Sequence, residues 1–260
     1  MAASGIYFFH IPKTAGMSVW RFLEQLFPAA KVCPWWLWDQ LITVPRSDLD
    51  QWDVFRGHFL SHLEPYLGRP LATFTMLRDP VERTISHYYH VRRAPEHPSH
   101  EHAQQMSLAE FCIHPATRHM VENYQAAYLA KAPRNPTAIA QGLGPASLAR
   151  FELQELLQYS DRFDNAATLF ERAKERLISF TAVGLTEDFA NSLVRISLSL
   201  NWHEPQPFDA QNVSPERPRV EEVDTSAIGL IRQVTEVDQR LYEFARNRDW
   251  KTRSANTNFA

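Results

Sequence analysis

An α/β fold, with a central, mainly parallel sheet flanked by helices, is what this sequence predicts. Three observations carry it. Short apolar runs alternate with segments of helical periodicity along most of the chain. The first run passes into a helix through "HIPKTAGMS", a loop with one lysine and one glycine. A later run, "LATFTML", leads straight into "RDP", where an aspartate and a proline open the next helix. In such folds ligand sites lie at the carboxyl ends of the strands.

Residues 5–10, "GIYFFH", read as a buried strand. Residues 16–27 place Val19, Phe22, Leu23, Leu26 and Phe27 on one helical face. Strands follow at 52–56 and 71–77. The helix 79–93 has Asp79 as its N-cap and Pro80 at its first position. Its apolar side is Val81, Ile85, Tyr88 and Tyr89. Residues 94–106 are polar and histidine-rich and read as a loop. Helices are expected at 107–113, 117–130, 147–158 and 165–176. A strand is expected at 178–184 and a helix at 186–201. Residues 203–223 hold four prolines and little periodicity, a loop of functional length. A helix over 224–247 and a frayed tail at 251–260 complete the chain.

The 260 residues suit one domain, 1–260, or one domain with a lid. Hydrophobic residues make 44% and charged residues 22%, an ordinary globular balance. The net charge of −3 offers no basic excess for duplex nucleic acid and disfavours a highly anionic polymer. Cys33 and Cys112 make no disulfide framework and fit a reducing compartment. "MAASGIYFFH" has no basic start followed by a long apolar stretch. No window approaches about 18 uninterrupted apolar residues, so no membrane span is expected and the cytoplasm is the expected location. The oligomeric state is open.

The loop 12–18, Pro12, Lys13, Thr14, Ala15, Gly16, Met17 and Ser18, has the makings of an anion cradle. Backbone N–H groups at a helix start point outward, and the helix dipole favours negative charge there. Lys13 adds a point charge, Thr14 and Ser18 add hydroxyls, and Gly16 permits close approach. A plain strand-to-helix turn with a surface lysine fits the short string equally well. The order GxxxxGK[ST] of nucleoside-triphosphate loops is absent.

"FFHIPKTAGMS" followed by "FTMLRDPVERTISHYYHVRR" resembles the sulfotransferases that use 3′-phosphoadenosine 5′-phosphosulfate (PAPS). The uronyl 2-O-sulfotransferase branch and its bacterial relatives are the most similar. "VENYQAAYLA", "FTAVGLTEDFANSLVRISLSLNW" and "VDQRLYEFA" extend the resemblance over most of the chain. It implies that loop 12–18 holds the 5′-phosphosulfate and that Arg78 and Ser86 hold the 3′-phosphate. Arginine suits a terminal phosphate because its fork donates two bonds. A late loop closes over the nucleotide in this family. Asn212, Ser214, Arg217 and Arg219 are the candidates there; a solvated linker is the other reading.

In "FRGHFLSHL" the resemblance aligns His58 with the catalytic base of the 2-O branch. Histidine titrates near neutral pH, as a general base should. That branch reads HGH where this chain reads "RGH", so Arg56 stands where a histidine would contact the acceptor. His62, or a glutamate, is an alternative base. Lys13 is the electrophilic partner near the bridging oxygen, and no metal is required. His10 reads as a buried strand-end residue.

"CPWWLWDQ" crowds Trp35, Trp36 and Trp38 together, either as acceptor-stacking faces or as core. Asn123 and Gln125 match an acceptor-side motif, with a helix-surface role equally open. His87, His90, His97, His100 and His102 read as a solvated helix end rather than a metal site. Segments 33–52 and 94–146 are the expected acceptor or lid regions. The expected activity is sulfuryl transfer from PAPS to a hydroxyl of a glycan, glycolipid or small metabolite. A nucleotide kinase or NTPase, or a non-catalytic nucleotide-binding protein, is the alternative.

Overall fold

The computed structural model describes residues 5–131, 165–202, 217–248 and 250. The expected helix 147–158, part 132–146 of the expected lid, positions 203–216 with Asn212 and Ser214, and the tail 251–260 lie outside the described residues.

Four strands, β1 (Ile6–Phe9), β2 (Val54–Gly57), β3 (Ala72–Leu77) and β4 (Ala182–Leu185), form a sheet in the order β2-β1-β3-β4. Every pairing is parallel, with Ile6 opposite both Val54 and Ala72, and Phe74 opposite Ala182. The sheet is covered on both faces, which is why its strands read as nearly continuous apolar runs. Ile6 and Phe8 join Val54, Phe74 and Met76 on one face, under α1 (Gly16–Leu26) and the helix Phe189–Ser199. Tyr7 and Phe9 join Phe55 on the other, under the helices Ala166–Ser179 and Glu236–Asn247. The chain makes short helices, α2 (Trp38–Leu41) and α3 (Leu63–Leu67), before it enters α4 (Pro80–Arg93). A third core links α4 to the helices α5 (His100–Gln105) and α6 (Leu108–Ile113) and to the helix Thr225–Val234.

Strand order reverses between β1 and β3, which places a crevice at their carboxyl ends. The loop 10–15 leaves β1 there, and Arg78 leaves β3 there. Asp79 caps α4 as expected, its Oδ1 accepting from Val81 N and Glu82 N, both at 3.0 Å.

The structure corrects several boundaries. The expected loop 94–106 contains α5. The expected helix 117–130 is a 3₁₀ turn, Arg118–Met120, followed by α7 (Tyr124–Ala130). Between them Asn123 takes φ 42°, a left-handed conformation that asparagine tolerates better than most residues. The expected helix 224–247 is two helices that part at Thr235. Its hydroxyl donates to Ile231 O at 2.7 Å, a local bond that competes with helix continuation. Segment 33–52 is partly core, since Trp38, Leu41, Val44 and Leu49 are buried.

Phe74 lies at 0% exposure, stacked on Phe8 at 5.1 Å and edge-on to Trp202 at 5.8 Å. Phe74→Ala should therefore cost about 3–5 kcal/mol. The urea midpoint would measure it; a loss under about 1 kcal/mol would show that the sheet's central face is loosely packed.

Candidate active site

The loop after β1 alternates in hand. Lys13 has φ 72° and Ala15 φ 63°, while Thr14 and Gly16 do not have positive φ. Such alternation turns successive N–H groups to one side and makes an anion-binding concavity. No side chain caps the start of α1. Thr14 is fully buried, and its hydroxyl donates to Ile11 O at 2.8 Å, so it braces the loop. Ser18 is buried one turn further on. Gly16 also serves a close approach that the sequence did not indicate. A Cβ there would fall 1.8 Å from His10 Nε2, so the glycine makes room for an imidazole.

Cations converge on this loop. Arg78 Nη1 donates to Lys13 O at 3.3 Å, and its Nη2 pairs with Glu82 Oε2 at 3.0 Å. Arg217 pairs with the same Glu82 oxygen. Arg83, 1% exposed, donates to Pro12 O at 3.4 Å and Met120 O at 2.8 Å, with its guanidinium over the Tyr124 ring. Burial pushes the Lys13 ammonium down to about 8, and the guanidinium charges of Arg78, Arg93, Arg83 and Arg217 add to the shift. Burial also pushes Arg83 and Arg217 down to about 10, which leaves both charged at neutral pH. This excess of buried positive charge favours a polyanion.

His58 adjoins the loop. Its Nδ1 lies 3.1 Å from His10 O and 2.9 Å from the Tyr128 hydroxyl. A carbonyl only accepts, so Nδ1 carries the proton and Nε2 keeps the lone pair of a base. Burial pulls the His58 pKa below the ordinary histidine value, partly opposed by its bond to the His10 carbonyl. The His10 ring stacks on that of His58, centroids 4.7 Å apart. Burial, then the charges of His58 and Lys13, hold His10 neutral.

The sequence pattern of the Sulfotransferase family matches residues 3–245. The chain belongs to this family. The crystal structure of a sulfotransferase from Alicyclobacillus acidocaldarius is similar in fold, with a TM-score of 0.50 and 15% identity. The likeness covers 96% of this chain and 99% of that one. No curated protein matches the chain.

Within this sulfotransferase the remaining expected site residues are spread unevenly. Ser86 is half-buried on α4, one turn beyond Glu82 and on the same face. Met17 is exposed at the loop's end. Arg219 is exposed, and its backbone N–H donates to Glu222 Oε2 at 2.7 Å. Trp36 is exposed, and its carbonyl accepts from His58 N at 2.9 Å. Trp35 is half-buried against the core. Arg56 pairs with Glu24 at 2.7 Å and lies over the Trp20 ring.

Other expected acceptor residues are engaged internally. His62 is fully buried, edge-on to Trp38, and burial drops its pKa to about 4. Asn123 Oδ1 accepts from Val237 N at 2.9 Å and so caps the helix Glu236–Asn247. Gln125 clamps the Arg78 peptide, accepting from its N–H at 3.0 Å and donating to its carbonyl at 2.8 Å. Its effect on the site runs through Arg78. Among the solvated histidines expected, His87 is instead buried, its Nδ1 accepting from Arg83 Nη2 at 2.8 Å. Among the described residues no group of three His, Cys, Asp or Glu side chains could hold a metal ion.

Glu82, Arg83 and Tyr128 escaped the sequence reading. The spacing of Arg78 and Glu82, four apart, was the available signal for one of them.

Gly16→Ala must displace His10 or α1. It should cost about 1–3 kcal/mol in stability and, by tilting the His10–His58 pair, about 10²-fold in sulfuryl-transfer turnover. Wild-type turnover with an unchanged melting temperature would show that the imidazole does not depend on this gap.

Proposed function

We propose that this sulfotransferase moves the sulfuryl group of PAPS to a hydroxyl of a glycan, glycolipid or small metabolite, with His58 as general base. One observation carries the reading. The strand-order reversal gathers Lys13, Arg78 and Arg217 at one crevice, and His58, with its basic nitrogen set by His10 O, stands beside it. The motif likeness to the uronyl 2-O branch supports the same roles.

Loop 12–18 and Lys13 would hold the 5′-phosphosulfate, and Arg78 and Ser86 the 3′-phosphate. Arg217, and less directly Arg219, belongs to the segment 203–223 that we assign to covering the nucleotide. Segments 33–52 and 94–146 border the acceptor in this single-domain reading. His58 Nε2 takes the acceptor proton as the acceptor oxygen bonds to sulfur. The bond from sulfur to the bridging oxygen breaks in line, and its electron pair leaves on the 5′-phosphate. Lys13 and the loop amides meet that growing charge, the kind of preorganised field that contributes most to such steps. No metal is assigned a role. Among the described residues no helix is long and apolar enough to cross a membrane. The buried free thiols Cys33 and Cys112 support a cytoplasmic setting.

The pH profile follows from two shifts of opposite consequence. His58 must be neutral to accept a proton, so kcat/KM should climb through a pKa below 6.5. Lys13 must be charged, so kcat/KM should fall above pH about 8. Bound nucleotide adds negative charge beside Lys13 and raises its pKa, which moves the alkaline limb of kcat higher than that of kcat/KM. His58→Ala should lower turnover roughly 10²–10⁴-fold and abolish the acid limb. An acid limb that survives this substitution would move the base elsewhere.

The nucleotide itself separates the proposal from a kinase. A ligand at a hundred times its Kd stabilises the fold by about 2.7 kcal/mol. 3′-Phosphoadenosine 5′-phosphate (PAP) should raise the melting temperature clearly, and ATP, ADP and AMP much less. Arg78→Ala should erase most of that preference, since a charge-assisted bond is worth roughly 1.5–3 kcal/mol. Equal shifts with ATP and PAP, insensitive to Arg78→Ala, would refute the PAPS assignment.

A further inference from the structure

Large apolar side chains stand exposed beside His58. Met17 is 50% exposed, Trp36 41% and Leu37 38%. Met17 lies one turn before Trp20 on the same face of α1. The Trp20 and Trp36 rings are 5.6 Å apart, and Leu37 is the next residue. This platform runs up to the base. The Trp36 carbonyl accepts from His58 N, and the Trp20 ring lies edge-on, at 5.8 Å, to the His10 ring that stacks on His58.

The charged and amide groups of this surface already have partners, while the buried Trp20 Nε1 has none among the described residues. Arg56 Nη2 binds Glu24 Oε1 at 2.7 Å, its Nη1 donates to Trp20 O at 3.2 Å, and its face covers the Trp20 ring at 5.0 Å. Gln40 Oε1 accepts from Trp36 N at 3.3 Å and Leu37 N at 3.2 Å. Glu24, half exposed, sets a negative rim.

We infer that the acceptor is an uncharged hydroxyl compound with a flat apolar body, a phenol or aryl alcohol, lying on Trp36 and Met17 with its hydroxyl toward His58. The inference rests on the proposed transfer reaction and narrows its acceptor. A uronic acid needs an open cation, and Arg56 is neutralised by Glu24. A sugar brings a hydroxyl on most ring carbons, each needing a partner once water leaves. One hydroxyl and one broad apolar face match what this surface offers. The reaction is unchanged: the aryl oxygen gains the sulfuryl group, its proton goes to His58, and the electron pair of the broken bond leaves on phosphate.

Calorimetric titration of the protein saturated with PAP tests this without turnover, using 2-naphthol, methyl glucoside and methyl glucuronide. 2-Naphthol should bind at least about tenfold more tightly than either glycoside. Trp36→Ala should weaken 2-naphthol about tenfold and leave PAP affinity unchanged. Leu198→Ala, an exposed apolar side chain on the helix Phe189–Ser199, should change neither. Tighter binding of methyl glucuronide, no binding of any probe, or indifference to Trp36→Ala overturns the acceptor inference and leaves the donor reading standing. Failure of PAP itself to bind overturns the donor reading, and the acceptor inference with it.

Discussion

Holding like charges together in a poorly hydrated crevice is the constraint on which the rest of the site depends. Burial first, and then the charges of Arg78, Arg93, Arg83 and Arg217, depress the Lys13 ammonium. Burial of each is costly unless its donors are satisfied. The fold answers with carbonyls and one shared carboxylate. Lys13 O, Pro12 O and Met120 O accept from the guanidinium groups, and Glu82 serves both Arg78 and Arg217. The loop's left-handed residues and the clamp from Gln125 follow from the same need, since they aim those carbonyls and the Arg78 peptide. A bound polyanion would relieve the repulsion among these cations.

His10 joins the loop that carries Lys13 to His58. Its ring fills the space Gly16 leaves, and its carbonyl sets the His58 tautomer. The Lys13 loop and His58 are thus both mounted on one residue at the end of β1. Small errors in the first would be transmitted to the second, because packed interiors shift as units rather than absorb strain atom by atom.

Much of the fold could be read from sequence because strand and helix periods were clean. "GIYFFH" and "LATFTML" are mostly apolar since both sheet faces are covered, and Asp79–Pro80 marks a helix start by local chemistry alone. The breaks at Asn123 and Thr235 were harder. Each reflects a hydrogen bond that periodicity does not register, and the Asn123 bond reaches 114 residues along the chain. In the site, Lys13 stood out in the glycine-bearing loop after β1, and Arg78 because it directly follows β3. His87, Asn123 and Gln125 carried the right chemistry, yet their partners are set by tertiary packing. Glu82 and Arg83 were hidden among the charges of a helix that reads as half solvated.

The reach of these contacts bears on how the protein is made. Gln125 fixes the Arg78 peptide, and Asp238 accepts from Gln125 N at 3.1 Å and Ala126 N at 2.7 Å, across 113 and 112 residues. Glu187 accepts from Asp79 N across 108. A chain emerging from the ribosome therefore carries Lys13 and Arg78 long before the last helix arrives to lock them. Loop closure over such distances is slow. Until Asp238 docks, a nascent chain would expose a cluster of unrestrained cations, open to any passing polyanion.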